Sequence, residues 1–207
     1  MLATLKLQDK SICKELKRKT IHISSLWIPL TLYFLHPSLS FTLFSTLLIG
    51  NAVLEYGNYK KWYWARLLFG KIFVPTLRSH EISKTQFNHS GSLYVLASAV
   101  ACSLLFSQTI GAIALTIMLI SDSCAALIGK IYGSRKIRGK KTIEGTFAFL
   151  LSALIIMVIY NPIYPVNYAG IIACICATLA ELYEDKLEID DNLSISLSVG
   201  VVLSFIG

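Results

Sequence analysis

Charged side chains are scarce in this chain. Asp, Glu, Lys and Arg make up 15% of its 207 residues, whereas a soluble globular domain carries about 25%. Hydrophobic residues make up 55%, and the mean hydropathy is +0.63. This leaves too little polar surface for a soluble protein, so we expect an integral membrane protein.

Proline and glycine are also few, with 5 and 12 residues, and no low-complexity segment or linker interrupts the chain. We therefore predict one integral-membrane domain over residues 1–207. Four of the five cysteines lie inside apolar runs, where cysteine acts as a small hydrophobic residue. Their spacing does not indicate a zinc site or a disulfide framework. The first apolar run lacks a small-residue cleavage site, which favours a retained anchor over a signal peptide.

Long apolar runs recur along the chain. A membrane span needs about 20 such residues, within a range of about 17–25. The sequence predicts an all-α polytopic fold with about seven transmembrane helices. One further stretch, "KKWYWARLLFGKIFVPTL", alternates basic with aromatic or aliphatic residues and predicts an interfacial amphipathic helix over 60–78. The predicted spans are 21–36, 38–56, 91–107, 109–129, 143–160, 167–183 and 192–206.

Positive charge is confined to alternate connections. All 19 Lys and Arg lie in segments 1–20, 57–90, 130–142 and 184–191, and the connections "HPSLS", "SQ" and "NPIYPVN" hold none. The positive-inside rule then predicts a cytoplasmic N-terminus, cytoplasmic charged loops and a C-terminus on the far side. In a prokaryote this would be the plasma or inner membrane. The net charge of +7 is thus attributed to membrane topology, and no nucleic-acid partner is expected.

One acidic residue, Asp122, lies inside the apolar run "IALTIMLISDSCAALIGKIYG". A charged residue at the centre of a membrane helix costs about 2.5–3.5 kcal/mol on insertion scales, and such residues are usually paired and functional. Asp122 shares a helix face with Ala125, Gly129 and Gly133 at spacings of three or four. The alternative is a close-packing face that carries one hydrogen-bonded Asp.

The loop "GSRKIRGKKTIEGT" places basic residues between Asp122 and Glu144. Carboxylates beside Lys and Arg fit a polyphosphate with a divalent metal. An ordinary positive-inside loop is the alternative. The stretch is not a P-loop, because five residues separate Gly133 from Gly139 and no Ser or Thr follows Lys140.

Two further stretches carry candidate residues. In "ELYEDKLEIDDNLSISL", Glu181 ends one predicted span, while Asp191 and Asn192 open the last one, where helix capping is the alternative role. In "ELKRKTIHISS", His22 enters the first span four residues after Arg18. It is a candidate general base or phosphate contact, or else a structural histidine.

Taken in order, these stretches resemble the membrane CTP-dependent lipid-alcohol kinases, namely dolichol kinase, phytol kinase and CTP-dependent diacylglycerol kinase. These enzymes are related to the phosphatidate cytidylyltransferases. The similarity runs from about residue 15 to 198, and Ser121 and Ser196 stand where the family has Gly and Pro. The motifs are carried by Arg18, Lys19 and His22; by Asp122, Ala125, Gly129 and Gly133; by Lys141, Thr142, Glu144 and Gly145; and by Asp191, Asn192 and Leu193.

The resemblance implies transfer of the terminal phosphate of CTP, with Mg²⁺, to the hydroxyl of a membrane lipid alcohol such as a polyprenol, phytol or diacylglycerol. The residue roles that it implies fall into four groups. Catalysis is assigned to Asp122, Glu144 and His22; nucleotide binding to Gly129, Lys130, Gly133, Arg135, Lys140, Lys141 and Thr142; metal binding to Asp122, Glu144, Glu181 and Asp191; and lipid orientation to Arg18 and Asn192.

Two other functions stay open at this point. A cytidylyltransferase would join a cytidine nucleotide to a lipid phosphate and release pyrophosphate, whereas a kinase releases CDP. A transporter would use the intramembrane acids as an ion path, and transporters often contain inverted repeats. No such repeat is visible in the sequence.

Overall fold

A computed structural model describes residues 2–65, 90–139, 141–165, 167–184 and 189–206, with side chains from residue 12 onward. This part of the chain is mostly helical, as expected, and has one short hairpin. The elements are α1 (Leu2–Ser24), α2 (Trp27–Phe34), α3 (Pro37–Tyr59), α4 (Gly91–Leu105), α5 (Gln108–Ile131), β1 (Lys136–Arg138), β2 (Lys141–Thr142), α6 (Ile143–Tyr160), α7 (Tyr168–Leu182) and α8 (Asp191–Ile206).

Helix α5 forms the centre of the bundle. It packs against α1, α2, α4, α6 and α8. Its side chains from Gly111 to Leu119 are all buried, so the helix is apolar on every side, as expected for a helix surrounded by others. The Ser107 hydroxyl accepts a hydrogen bond from the Ile110 amide and caps its first turn. Asp122 therefore lies on the most enclosed helix of the fold.

The predicted first span is divided between two helices. Helix α1 ends at Ser24 and α2 begins at Trp27, with a turn at Ser25 and Leu26. Pro29 falls in the first turn of α2, where its missing N–H costs no hydrogen bond. The turn gives the basic N-terminal helix a direction of its own, and α1 packs along α5.

Helix α3 extends to Tyr59, beyond the predicted end of its span, and the chain turns at Lys61. Lys61 adopts φ +62°. The Trp62 amide donates to the Gly57 carbonyl at 2.9 Å and the Lys61 amide to the Asn58 carbonyl at 3.1 Å, which together form a Schellman C-cap. The interfacial helix was predicted to begin at about residue 60; residues 63–65 are helical after the turn, and the rest of its predicted length, 66–78, lies outside the described residues.

The basic loop contains a structure that the all-α prediction missed. β1 and β2 pair antiparallel as a two-stranded hairpin. Gly139 at its tip has φ +51°, a left-handed conformation that glycine adopts without a Cβ clash. The Arg138 guanidinium lies 5.1 Å from the ring centre of Tyr183, at the end of α7. The hairpin is thus held over the end of the bundle.

Among the described residues, three helices are long and apolar enough to cross a membrane, namely α3, α5 and α6. α4, α7 and α8 are apolar but have only 15 or 16 residues each. Large apolar side chains cover the outside of the bundle; Phe34 is 75% exposed and Phe205 is 84% exposed. Outward-facing apolar surface on this scale is a feature of proteins that lie in lipid.

Candidate functional site

The buried carboxylate of Asp122 has a cationic partner. The Lys19 ammonium donates a hydrogen bond to Oδ2 of Asp122, and the two side chains are 1% and 7% exposed. Nε2 of His22, one turn further along α1, lies 3.4 Å from the same oxygen. The crossing of α1 over α5 thus brings together two predicted site residues, His22 and Asp122, and one that was not assigned a role, Lys19.

Sequence reasoning missed Lys19 as a site residue. It was noted as a member of the Arg18, Lys19 and His22 motif, but only Arg18 and His22 of that motif were given roles. One signal was available, because Lys19 and His22 are three residues apart and so share a helix face. Lys17 and Thr20, on either side, are exposed, whereas Lys19 is fully buried.

A second cationic residue, Lys141, pairs with acids at the end of α7. Its ammonium lies 2.6 Å from Oε1 of Glu181 and 3.2 Å from Oε2 of Glu184. Burial alone would lower the pKa of Lys141, but the two carboxylates outweigh it and raise that pKa above its usual value. Lys141 therefore stays charged at neutral pH, and it ties the hairpin to α7.

The predicted metal ligands do not form one cluster. Across residues 12–65, 90–139, 141–165, 167–184 and 189–206, no three His, Cys, Asp or Glu side chains are placed to hold a metal ion together. Oδ2 of Asp122 already accepts a hydrogen bond from the Lys19 ammonium, and Oε1 of Glu144 accepts one from the Ser134 hydroxyl at 2.5 Å. A metal cage made by the protein alone therefore does not fit the described residues.

Two carboxylate oxygens in this region remain without a hydrogen-bond partner among the described residues. They are Oε2 of Glu144 and Oε2 of Glu181, and both are inaccessible to solvent. Mg²⁺ is commonly bound by one or two carboxylates together with the phosphates of a nucleotide. These oxygens fit a Mg²⁺ ion that arrives as part of the nucleotide complex, with most of its ligands supplied by phosphate and water.

The glycines predicted to contact nucleotide, Gly129 and Gly133, pack closely against Thr142. A Cβ on Gly129 would lie 2.9 Å from Oγ1 of Thr142, and one on Gly133 would lie 2.7 Å from Cγ2 of the same residue. A Cβ on Gly145 would lie 2.9 Å from the Ala125 carbonyl oxygen. The small residues on this face of α5 let the start of α6 pack closely against it. This is the packing alternative considered from the sequence.

Thr142 also has a structural role. Its hydroxyl accepts a hydrogen bond from the Gly145 amide at 3.2 Å and caps α6. The residue is 8% exposed. Its capping contact fixes where α6 begins, and its predicted nucleotide contact stays a prediction.

Glu15 links two basic residues that were predicted to bind ligands. Its carboxylate accepts from Arg18 at 2.5 Å and lies 3.5 Å from the Lys130 ammonium. Burial alone would raise the pKa of Glu15, but the neighbouring Arg18 and Lys130 charges lower it below the usual value. Arg135 is exposed on the loop before β1, and Lys140 lies outside the described residues.

The cap of α8 falls on Asp190, one residue earlier than expected. Its Oδ1 accepts from the Asn192 amide at 3.1 Å and from the Asn192 side-chain nitrogen at 2.6 Å. Asp191 and Asn192 are each 4% exposed. Both therefore point their side chains into the protein, and Asp191 acts electrostatically on both His22 and Glu181.

An apolar cavity of about 740 Å³ adjoins this charged centre. Ligand sites are usually pockets of about 300–1,000 Å³ that are mainly apolar and carry a few polar groups. Hydrophobic side chains of α2, α3 and α4 make up most of its wall, including Ile28, Leu54 and Val95. Both predicted lipid-orienting residues, Arg18 and Asn192, line it together with His22.

Comparison with known proteins finds relatives without an assigned activity. The chain is 34% identical over 194 residues to the uncharacterized protein RP860 of Rickettsia prowazekii (strain Madrid E), which covers 89% of this chain and 90% of the relative. It is 32% identical over 117 residues to the uncharacterized protein MJ1137 of Methanocaldococcus jannaschii, which covers 55% of this chain and 58% of that protein. No protein-family model matches the chain, and no solved structure matches it. By the extent of the first similarity, the chain belongs to the same family as RP860 of Rickettsia prowazekii.

Proposed function

We propose that this protein is a CTP-dependent membrane kinase that transfers the terminal phosphate of CTP to the hydroxyl of a membrane lipid alcohol. The observation that carries the proposal is the place of His22. Its imidazole lies between the buried Lys19–Asp122 pair and the apolar cavity that it lines. Its Nε2 faces Asp122 and, although buried, has no hydrogen-bond partner among the described residues. The ring also lines the cavity, so a lipid hydroxyl there could meet the imidazole as a base.

The reaction needs positioning and charge neutralisation more than elaborate covalent chemistry. In the proposed step, the lipid hydroxyl gives its proton to the imidazole of His22 as its oxygen forms a bond to the terminal phosphorus. The bond between that phosphorus and the bridging oxygen breaks, and CDP leaves. Asp122, held in place by Lys19, would stabilise the imidazolium that forms. This gives His22 the role of base and Asp122 an orienting and electrostatic role.

The basic residues around the centre would receive the triphosphate. Lys141 and Arg138 of the hairpin lie next to the acidic end of α7, and Mg²⁺ would enter bound to CTP as part of the substrate. The Lys141 ammonium is engaged by Glu181 and Glu184. Exchange of one of these carboxylates for a phosphate oxygen would keep the ammonium paired throughout binding.

The proposal includes the topology expected from the charge pattern. α3, α5 and α6 are long enough to span, while 15 residues of helix reach only about 22 Å against a hydrocarbon core of about 30 Å. α4, α7 and α8 would cross with the help of flanking residues or a locally thinner bilayer. The seventh crossing would be made by α2 together with the end of α1.

A direct assay tests the activity. Purified protein is incubated with Mg²⁺ and CTP labelled on its terminal phosphate, together with a polyprenol, phytol or diacylglycerol. We expect label in the lipid fraction and CDP in the aqueous fraction. Pyrophosphate release with a lipid phosphate as acceptor would instead identify a cytidylyltransferase. Absence of both products with every lipid tested would contradict the proposal.

A further inference from the structure

The hairpin over the end of α7 carries two cations side by side. Arg138 of β1 lies directly opposite Lys141 of β2. Side chains of directly opposed residues point to the same face of a hairpin, with their Cβ atoms about 4.5–5.5 Å apart. Like charges in such a pair destabilise it unless an anion lies close by. Arg138 was not among the residues that the sequence predicts to bind nucleotide.

The described residues supply an anion to only one of these two cations. The Arg138 guanidinium lies 5.1 Å from the ring centre of Tyr183, which is a cation–π contact, and it forms no ion pair within the described part of the chain. A guanidinium carries five N–H donors in a planar fork that matches phosphate oxygens, and a cation–π contact uses none of them. Arg138 thus retains its capacity to bind an oxyanion.

The two acids that pair with Lys141 are held differently. Oε1 of Glu181 lies 2.6 Å from the ammonium and its side chain is 4% exposed, whereas Oε2 of Glu184 lies at 3.2 Å and its side chain is 21% exposed. Displacing Glu181 would leave a buried carboxylate without its partner, but an exposed pair contributes little to stability. Glu184 also lies beyond Leu182, the last residue of α7. Glu184 is therefore the carboxylate that an incoming anion would displace.

We infer that Arg138 and Lys141 form one binding site for a phosphate group, and that the Glu184 carboxylate occupies this site until the phosphate displaces it. The inference rests on the proposed function for the source of the phosphate, which is the triphosphate of the nucleotide. In the exchange, Glu184 turns to solvent and the phosphate oxygens accept hydrogen bonds from both cations. Lys141 stays paired with Glu181 throughout, and Arg138 gains an anionic partner.

Binding of inorganic tripolyphosphate tests the role of Glu184. Calorimetric titration uses the full chain in phosphatidylcholine nanodiscs, without nucleotide, Mg²⁺ or lipid substrate. Glu184→Gln should tighten binding by about three- to tenfold, the effect of removing one competing charge at about 4 Å in a solvent-exposed site. Glu184→Asp keeps the charge but shortens the side chain, so it should tighten binding by an intermediate factor. Wild-type affinity in both variants would overturn the inference, and wild-type affinity in Glu184→Asp alone would reduce the effect to net charge.

A second pair of variants tests the role of Arg138. Arg138→Gln should weaken tripolyphosphate binding by about tenfold, because a charge-assisted, forked contact is lost. Lys136→Gln is the matched control, since Lys136 is an exposed residue of the same strand and its substitution changes the charge equally. It should weaken binding by about twofold at most. If Arg138→Gln does not fold, Arg138→Lys keeps the charge without the fork and should weaken binding by about threefold. Equal losses at positions 136 and 138 would contradict the assignment.

Phosphatidylglycerol in the nanodiscs distinguishes a nucleotide phosphate from a lipid headgroup. Both ligands present the same phosphate chemistry, but only the headgroup comes from the membrane. We expect the difference in tripolyphosphate affinity between the wild type and Arg138→Gln to persist when this anionic lipid is added. Loss of that difference would mean that a headgroup fills the site, and would overturn its assignment to the nucleotide.

Kinetics separate this inference from the proposed function. Labelled phosphate transfer from CTP is measured in parallel with binding. Glu184→Gln should lower the KM for CTP and leave kcat nearly unchanged, the split expected of a group that only competes for the site. Tripolyphosphate binding that depends on Glu184 and Arg138, without transfer to any lipid, would support the phosphate site and reject the kinase. Transfer with a KM for CTP that neither variant changes would support the kinase and reject the site.

Discussion

Lys19 donates a buried hydrogen bond to Asp122, 103 positions later in the chain. The contact joins the basic N-terminal helix to the central helix of the bundle, and neither side chain is more than 7% exposed. Removing one member of such a pair leaves an uncompensated buried charge, whereas removing both does not. The two residues should therefore behave as one unit in mutagenesis.

The first prediction concerns stability. Lys19→Met should destabilise the protein by about 3–5 kcal/mol, since the Asp122 carboxylate loses its partner. The double variant Lys19→Met, Asp122→Asn should recover most of that loss. Thermal unfolding in one detergent measures both, with Lys17→Met, an exposed neighbour on α1, as a control that should stay near the wild type. A double variant as unstable as the sum of the single variants would show that the residues are not coupled.

The second prediction separates folding from catalysis. The double variant should fold yet lose at least about a hundredfold in phosphate transfer, because the charge that supports His22 is gone. The measurement is transfer from labelled CTP to the preferred lipid alcohol. Near-normal turnover in a well-folded double variant would restrict Asp122 to a packing role.

The third prediction concerns His22 itself. His22→Gln should reduce turnover by about 10²–10⁴-fold, the usual contribution of a general base, and should change the apparent affinity for lipid much less. Ser25→Ala is the control, because Ser25 also lines the cavity and its hydroxyl bonds only weakly, at 3.4 Å, to the Ile21 carbonyl. Equal losses in the two variants would point to a general disturbance of the cavity.

The fourth prediction concerns helix packing. Gly129→Ala should destabilise the protein by about 1–3 kcal/mol, because the new methyl group meets Thr142 at 2.9 Å in a close-packed contact. Gly50→Ala makes the same change where no atom lies within 4 Å. It should be neutral or stabilising by up to about 1 kcal/mol, since alanine favours helix. Similar behaviour of the two variants in thermal unfolding would refute the packing role of Gly129.

The fifth prediction concerns topology. Tags at the N-terminus and in the loop 130–142 should be accessible only from the cytoplasm, and a C-terminal tag only from the opposite side, because Lys and Arg occupy alternate connections. Accessibility to a membrane-impermeant reagent in intact and opened cells provides the measurement. A cytoplasmic C-terminus would mean that an even number of segments crosses.

The sequence was sufficient to predict most of the helices, because long apolar runs leave the backbone few alternatives in lipid. It also predicted that Asp122 needs a partner. The motif of Arg18, Lys19 and His22 marked Lys19, but the sequence could not show that Lys19 is the partner of Asp122, since that pairing depends on how α1 crosses α5. The break at Ser25 was missed for a similar reason, because apolar residues continue on both sides of it.

The candidate site was predicted less completely than the helices. For Gly129, Gly133 and Thr142 the structure shows packing and capping contacts, and their nucleotide-binding role stays a prediction, since a glycine that admits a phosphate and one that admits a neighbouring helix look alike in sequence. The cap at Asp190 was displaced by one residue, within the usual uncertainty of helix ends. The hydrogen bond between the Asn51 side chain and the Ser92 hydroxyl was not predicted, because the two residues are 41 positions apart in the chain.

The Lys19–Asp122 pair also affects how the protein is made. A ribosome synthesises Lys19 first and its partner 103 residues later. At a synthesis rate of about 5–20 residues per second, several seconds pass between the synthesis of Lys19 and that of Asp122. During that interval the Lys19 ammonium has to reach toward water or lipid headgroups. The first helix to be made therefore cannot form this contact until α5 exists, and a nascent chain that stops before residue 122 leaves Lys19 without its partner.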